Sequence, residues 1–230
     1  FLLSVRTPDD VDYAATIGLD IEKWMAEGLI DRFIPSGYFR QRSWRDSVEL
    51  GRRYGIQVYA GFSETRVGGG HHKDPLRASD ECYRARAANA WQAGVDGISM
   101  FNLFDPNRRV WREIGDPEAV KGLDKIYFAS VRGVRKVPGD AYPYRGFIQI
   151  PTLNPEAPLP FSRDVRHTVR LEMAEDMSGI ASENRPATTL CVQLGVTDAP
   201  DSAPTLQTED LTVVFNGHAV TGPDIADRWY

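Results

Sequence analysis

Glu64 follows an apolar run, Ile56 to Phe62, and precedes Gly68-Gly69-Gly70-His71-His72-Lys73. A carboxylate set at the end of a buried strand, beside a glycine-rich loop with two histidines, either does chemistry or marks where the chain leaves the core. Held rigidly, such a group can accept a proton or attack a carbon. Four further residues have side chains fit for binding. Arg6 ends the first apolar stretch, where a guanidinium can hold a hydroxyl or orient a carboxylate, or pair with an acid inside the fold. Tyr38 and Phe39 follow Pro35-Ser36-Gly37, where an aromatic ring can stack on a ligand or pack under the loop. Asn102 lies in "MFNLFDP" and can hydrogen-bond a ligand, whereas Asp105, just before Pro106, reads as a turn former.

His71 and His72 are adjacent, so their side chains point in different directions, and no third ligand stands at metal spacing. A solvated loop is the first reading, with a substrate hydrogen bond as the alternative. No metal or cofactor is expected. The triple glycine lacks the Lys-Ser/Thr pair and helix start of a phosphate loop.

These residues need elements to position them. Residues 1–131 alternate between short apolar runs and stretches with apolar residues at i, i+3 and i+4. Leu2 to Arg6, Ile30 to Ile34, Ile56 to Phe62 and Gly97 to Phe101 read as strands. Thr7-Pro8-Asp9-Asp10 reads as a helix start, with a Thr cap and Pro in the first turn. Trp24, Trp44 and Trp91 fall on helical stripes and are expected in the core. A last helix is expected with Val120, Leu123 and Tyr127 on one side. The helix-to-strand turns are short and marked by glycine, in "AEGLIDRF", "RRYGIQVY" and "QAGVDGIS". The strand-to-helix loops are longer and more polar, as in a parallel α/β protein whose site lies at one end of the strands.

Beyond that, residues 137–163 contain Pro138, Pro143, Pro151, Pro155, Pro158 and Pro160 and read as a linker. From 164 to 230 the period changes to two. Val165, His167, Val169 and Leu171 alternate with other residues, as do Leu190, Val192 and Leu194. Asn216-Gly217 signals a hairpin after Leu211 to Phe215. A small antiparallel β domain of sandwich type is expected there.

The chain has 230 residues, 42% hydrophobic and 26% charged, which is the balance of a globular protein. Net charge is −5 and the basic residues form no stripe, which argues against a nucleic-acid partner. No apolar run reaches the length of a membrane span. Cys82 and Cys191, in a helical and a strand pattern, are both expected as small buried hydrophobes.

The wording of "GLDIEKWMAEGLIDRFIPSGYF", "YGIQVYAGFSE", "AGVDGISMFNLFD" and "REIGDPEAVKGLDKIYF" resembles the bacterial family 10-like glycosyl hydrolases, glycosidase-like barrels. The resemblance covers roughly the first 130 residues, and the tail with "LTVVFNGHAV" is similar to the β domain that follows such barrels. It implies the C-terminal half, four βα units, of a (β/α)8 TIM barrel over 1–136, then the 137–163 linker and the β-sandwich-like domain of 164–230. It implies an oligo- or polysaccharide partner and an extracellular or periplasmic location.

The resemblance numbers the four strands five to eight of the barrel. In the related retaining glycosidases the nucleophilic carboxylate ends strand seven, which here is Glu64. The acid/base carboxylate ends strand four, which lies outside this chain. The chemistry needs both, one to protonate the leaving oxygen and one to attack carbon or activate water. Arg6, Tyr38, His71, His72 and Asn102 are then the candidates for sugar binding. The barrel is expected to be completed by an N-terminal half or by a second copy. A non-catalytic carbohydrate-binding or scaffolding protein on the same fold is the alternative. A barrel lyase or aldolase would want a strand-end lysine or a metal triad, and the four strand ends offer neither.

Overall fold

The computed structural model describes residues 1–36, 42–63, 79–129, 146–147, 149–150, 159–160, 165–192 and 212–220. Four strands, β1 (Ser4–Thr7), β2 (Arg32–Pro35), β3 (Gln57–Ser63) and β4 (Gly97–Phe101), form one sheet in the order of the chain. Every neighbouring pair is parallel. Val5 stands opposite Phe33, Phe33 opposite Val58, and Phe62 opposite Met100. The expected parallel α/β arrangement is therefore present.

Parallel neighbours need crossovers, and among the described residues four helices supply them: α1 (Val11–Thr16) and α2 (Ile21–Ala26) between β1 and β2, α3 (Trp44–Tyr54) between β2 and β3, and α4 (Asp80–Ala93) between β3 and β4, while α5 (Val110–Glu113) and α6 (Pro117–Val120) follow β4. Ser43 caps α3 and Ser79 caps α4, each through its side-chain oxygen. Both helices end on a left-handed glycine, Gly55 at φ 69° and Gly94 at φ 92°, which lets the chain turn at once into the next strand.

Two local expectations change. Thr7 does not cap α1. It is the last residue of β1, in register with Pro35, and its carbonyl accepts from Ser36 N. Asp10 caps the helix instead, accepting from Tyr13 N at 2.7 Å. The expected helix through Val120, Leu123 and Tyr127 stops at Val120, because Lys121 is extended and Gly122 has φ 74°. Tyr127 donates instead to Glu175.

Side chains alternate across a strand. One face of the sheet sends Phe33, Val58, Ala60 and Phe62 into the core, where they meet Trp44 and Val48 of α3 and Tyr83, Ala87 and Ala90 of α4. Trp44 joins that core, and Trp24 and Trp91 pack at its margin. Cys82 is buried as expected, but Cys191 is exposed, since residues 190–192 form no strand.

The opposite face carries Arg6, Arg32, Gln57, Tyr59, Ser99 and Phe101, none of them buried. Ile34 and the buried Gly61 and Gly97 share that face, so it is mixed in character where the other is apolar. The registers assign these residues to a single face, and the contacts agree. Arg32 Nε donates to Gln57 Oε1 at 3.0 Å, and the Arg32 guanidinium stands 5.2 Å from the centre of the Tyr59 ring.

The chain divides into two compact units, Phe1–Glu175 and Asp176–Tyr230. In the first, residues 171–175 run as an extended strap over α3 and α4, held by Ser43, Asn89 and Gln92 and by an ion pair of Lys125 with Glu175 at 2.8 Å. Residues 165–171, expected as an alternating strand, have no strand partner among the described residues. In the second unit β5 (Val214–Phe215) pairs antiparallel with β6 (His218–Ala219). Asn216 and Gly217 between them have φ 48° and 84°, the two positive values that a tight hairpin turn requires. No helix among the described residues is long and apolar enough to cross a membrane.

Candidate functional site at the carboxyl edge of the sheet

The carboxyl ends of parallel strands are where an α/β sheet exposes backbone and loops free to vary. Here the four ends are Thr7, Pro35, Ser63 and Phe101. Arg6 is exposed on β1 and its guanidinium lies 3.6 Å from the centre of the Phe101 ring on β4. These strands are the two edges of the sheet, three inter-strand steps of about 4.8 Å apart. Side chains stand roughly perpendicular to a sheet. The stack therefore requires the sheet to curl so that its open face is concave. Asn102 follows Phe101 directly and is half-buried at φ 60°, a left-handed value that asparagine tolerates better than most residues. The fold thus brings the segment of Asn102 beside Arg6, two candidates far apart in sequence.

Glu64, Tyr38, His71 and His72 lie outside the described residues. Ser63, the residue before Glu64, closes β3 opposite Phe101. Asp105 behaves as a turn former: its carboxylate accepts from Asn107 N at 2.9 Å.

The edge also holds a cluster that the sequence reading passed over. Asp9 and Asp10 are buried just beyond β1. Asp9 Oδ2 accepts from Arg42 N at 3.2 Å, and Asp10 Oδ2 accepts from Arg42 Nε. The hydrogen bond to Asp10 holds the Arg42 guanidinium above its ordinary pKa. Nearby, burial pushes the Asp46 carboxyl up, while Arg42 pulls the other way. Asp9 and Asp10 looked like helix-start acids, and half of that is right, since Asp10 does cap α1. Nothing local in the sequence signals that Arg42, some thirty residues on, pairs with them. The cluster ties the β1–α1 turn to the chain entering α3. Both carboxylates are engaged, so its chemistry is structural.

A second concavity, of about 280 Å³, lies on the helix layer between the start of α3, the end of α4 and residues 171–173. It is remote from the open face, since helix residues line it.

Two features, then, meet at the carboxyl edge: a concave, partly aromatic and cationic face, and a rigid carboxylate–guanidinium tie beside it. No family model and no curated protein matches the chain.

Proposed function

We propose that the protein is a glycoside-hydrolase-like (β/α)8 barrel protein acting on carbohydrate, and that the described sheet is half of that barrel. The observation that carries the reading is the Arg6–Phe101 stack across the open face. Curvature of this sense is what a barrel wall has, and aromatic and guanidinium groups at its rim are suited to sugar rings and hydroxyls. That Arg6, Arg32, Gln57, Tyr59, Ser99 and Phe101 are not buried adds support, because parallel sheets are almost always covered on both sides. Further strands, from an N-terminal half or from a second copy, would cover it. The resemblance to the family 10-like glycosyl hydrolases gives the same fold and the same substrate class.

In this reading Glu64 is the nucleophile or base, delivered to the rim by β3. Arg6, Tyr38, His71, His72 and Asn102 hold the sugar. The second carboxylate comes from outside the chain, which fits the engagement of Asp9 and Asp10 with Arg42.

The test is hydrolysis and binding of a panel of oligosaccharides by the full-length protein and its Glu64→Gln variant. The swap keeps size and hydrogen bonding but removes the charge that attacks or accepts a proton. Turnover should vanish while binding persists. A Gln variant that still turns over the substrate refutes the assignment. Binding by both proteins with turnover by neither identifies the second reading, a carbohydrate-binding protein without catalysis.

A further inference from the structure

The strap of residues 171–175 is propped above α3 and α4 by polar side chains. Asn89 and Gln92 lie three positions apart on α4 and so share a face. Asn89 Nδ2 donates to the carbonyl of Glu172 at 3.0 Å, and Gln92 Nε2 donates to that of Ala174 at 3.2 Å. From the cap of α3, Ser43 Oγ donates to Glu172 Oε1 at 3.1 Å. Lys125 and Tyr127 hold Glu175 at the far end. Each tie spans the length of a side chain, so the strap stands off the helices by about that length. The cavity of about 280 Å³ is bordered by the same Ser43, Asn89, Gln92 and Glu172.

Its size sets the first limit. Sites for drug-sized ligands run from roughly 300 to 1,000 Å³, so this one suits a smaller molecule.

Its walls carry one charge of each sign. Arg45, in the first turn of α3, supplies a guanidinium, and Glu172, on the strap, supplies a carboxylate. Both residues are exposed, which sets their charges at the mouth. Leu171 and Met173 are half-buried and add apolar wall. A ligand of single charge meets one of the two charged groups as a partner and the other as a like charge. A neutral polyol brings a counter-charge to neither. A zwitterion satisfies both, through charge-assisted hydrogen bonds about twice as strong as neutral ones.

We infer that this cavity binds a free α-amino acid with a small apolar side chain, its carboxylate on Arg45 and its ammonium on Glu172. Gln92 adds an amide oxygen as a second acceptor for the ammonium. The apolar side chain lies against Leu171 and Met173. The site is built from the helix layer and the strap, so it is separate from the concave face and independent of the carbohydrate reading.

The probe is L-valine, added to the full-length protein and followed by the ¹³C-methyl resonance of Met173. The resonance should shift and saturate, and added salt should weaken the binding. Isovalerate lacks the ammonium and isobutylamine lacks the carboxylate, and each should bind at least about tenfold more weakly. Arg45→Gln should weaken valine by about the same factor while leaving the ties of the strap in place. Glu172→Gln keeps an oxygen for Ser43 and should weaken it too. A Met173 resonance that ignores valine overturns the site, as it would if the chain itself filled the cavity. Equal binding of valine by the wild type and Arg45→Gln overturns it as well, as does a response to glucose as strong as that to valine. Arg45→Gln and the two analogues decide the matter alone if Glu172→Gln loosens the strap.

Discussion

The two faces of one four-stranded sheet are built to opposite specifications. Phe33, Val58, Ala60 and Phe62 face the helices and are buried, while Arg6, Arg32, Gln57, Tyr59 and Phe101 alternate with such residues and stay accessible. Strand periodicity makes this possible, since neighbouring residues never share a face. The helix-facing side spends its composition on packing. The other side gathers polar and aromatic groups: a guanidinium on a ring, a second guanidinium on an amide, a tyrosine lying over a glycine. The difference teaches that in these strands burial and chemistry are separated residue by residue, not strand by strand.

The strongest way to break the comparison is a pair of aromatic truncations. Phe62→Ala should cost about 3–5 kcal/mol, because it opens a cavity against Trp44 and Tyr83 and removes the ring beside Arg86. Tyr59→Ala, on the open face, should cost about 1 kcal/mol or less. Urea unfolding of the two variants checks this. Equal losses would mean that the open face is as well packed as the other.

Next in size is the tie at the carboxyl edge. Asp10→Ala removes a buried partner of Arg42 and the cap of α1, and should cost about 3 kcal/mol. Asp10→Asn keeps a capping oxygen and should cost less than half of that. Thermal melts at neutral pH would show the order, and an Asn variant as unstable as the Ala variant would put the charge, not the cap, in command.

Glycines on the two sides sharpen the comparison further. A Cβ at Gly51 would stand 2.3 Å from Val58 Cγ2 and 2.7 Å from the carbonyl oxygen of Ile56, the second of which is backbone and has little room to yield. Gly51→Ala should therefore cost about 1–3 kcal/mol. At Gly97 the new Cβ would meet the Tyr59 ring at 2.3 Å, but that ring lies on the accessible face and can swing aside. Gly97→Ala should cost about 1 kcal/mol or less. Denaturation midpoints of the two variants measure the difference.

The smallest effect concerns pH. Burial raises the Asp46 carboxyl above its ordinary value, so the folded chain holds that proton more tightly than the unfolded chain. A raised carboxyl favours the fold at low pH, and this advantage is lost as pH rises from the unfolded pKa through the folded one. Asp46→Asn should thus gain on the wild type as pH climbs through the carboxylate range and keep that gain above it. Melting temperatures across the acid range test the sign. A gain that shrinks with rising pH would show that the attraction of Arg42 outweighs burial.

The local patterns were enough to read the alternation of strands and helices, the glycine ends of α3 and α4, the Asn216-Gly217 hairpin and the turn at Asp105. Each is a short-range matter: apolar period, a left-handed residue, or a side chain reaching two residues on. The sequential parallel order was also legible, because short glycine-marked returns leave few other routes. Local patterns misled where tertiary pairing competed with them. Thr7 would cap a helix in isolation, but pairing with β2 claims it for the sheet. Arg84 and Arg86 of α4 were not singled out, since arginine scores as a surface residue, yet both are buried.

Of the candidate site, residue types and strand-end positions were determined by the sequence alone. They single out Arg6 and Asn102, and they set Glu64 directly after β3. What only the tertiary structure decided is which distant residues meet. Arg6 reaches Phe101 because the sheet curls, and Arg42 reaches Asp9 and Asp10 because the chain entering α3 passes the end of β1. Periodicity is fixed by neighbours three or four residues away. An ion pair or a ring stack between residues thirty to ninety positions apart is fixed by the path of the whole chain.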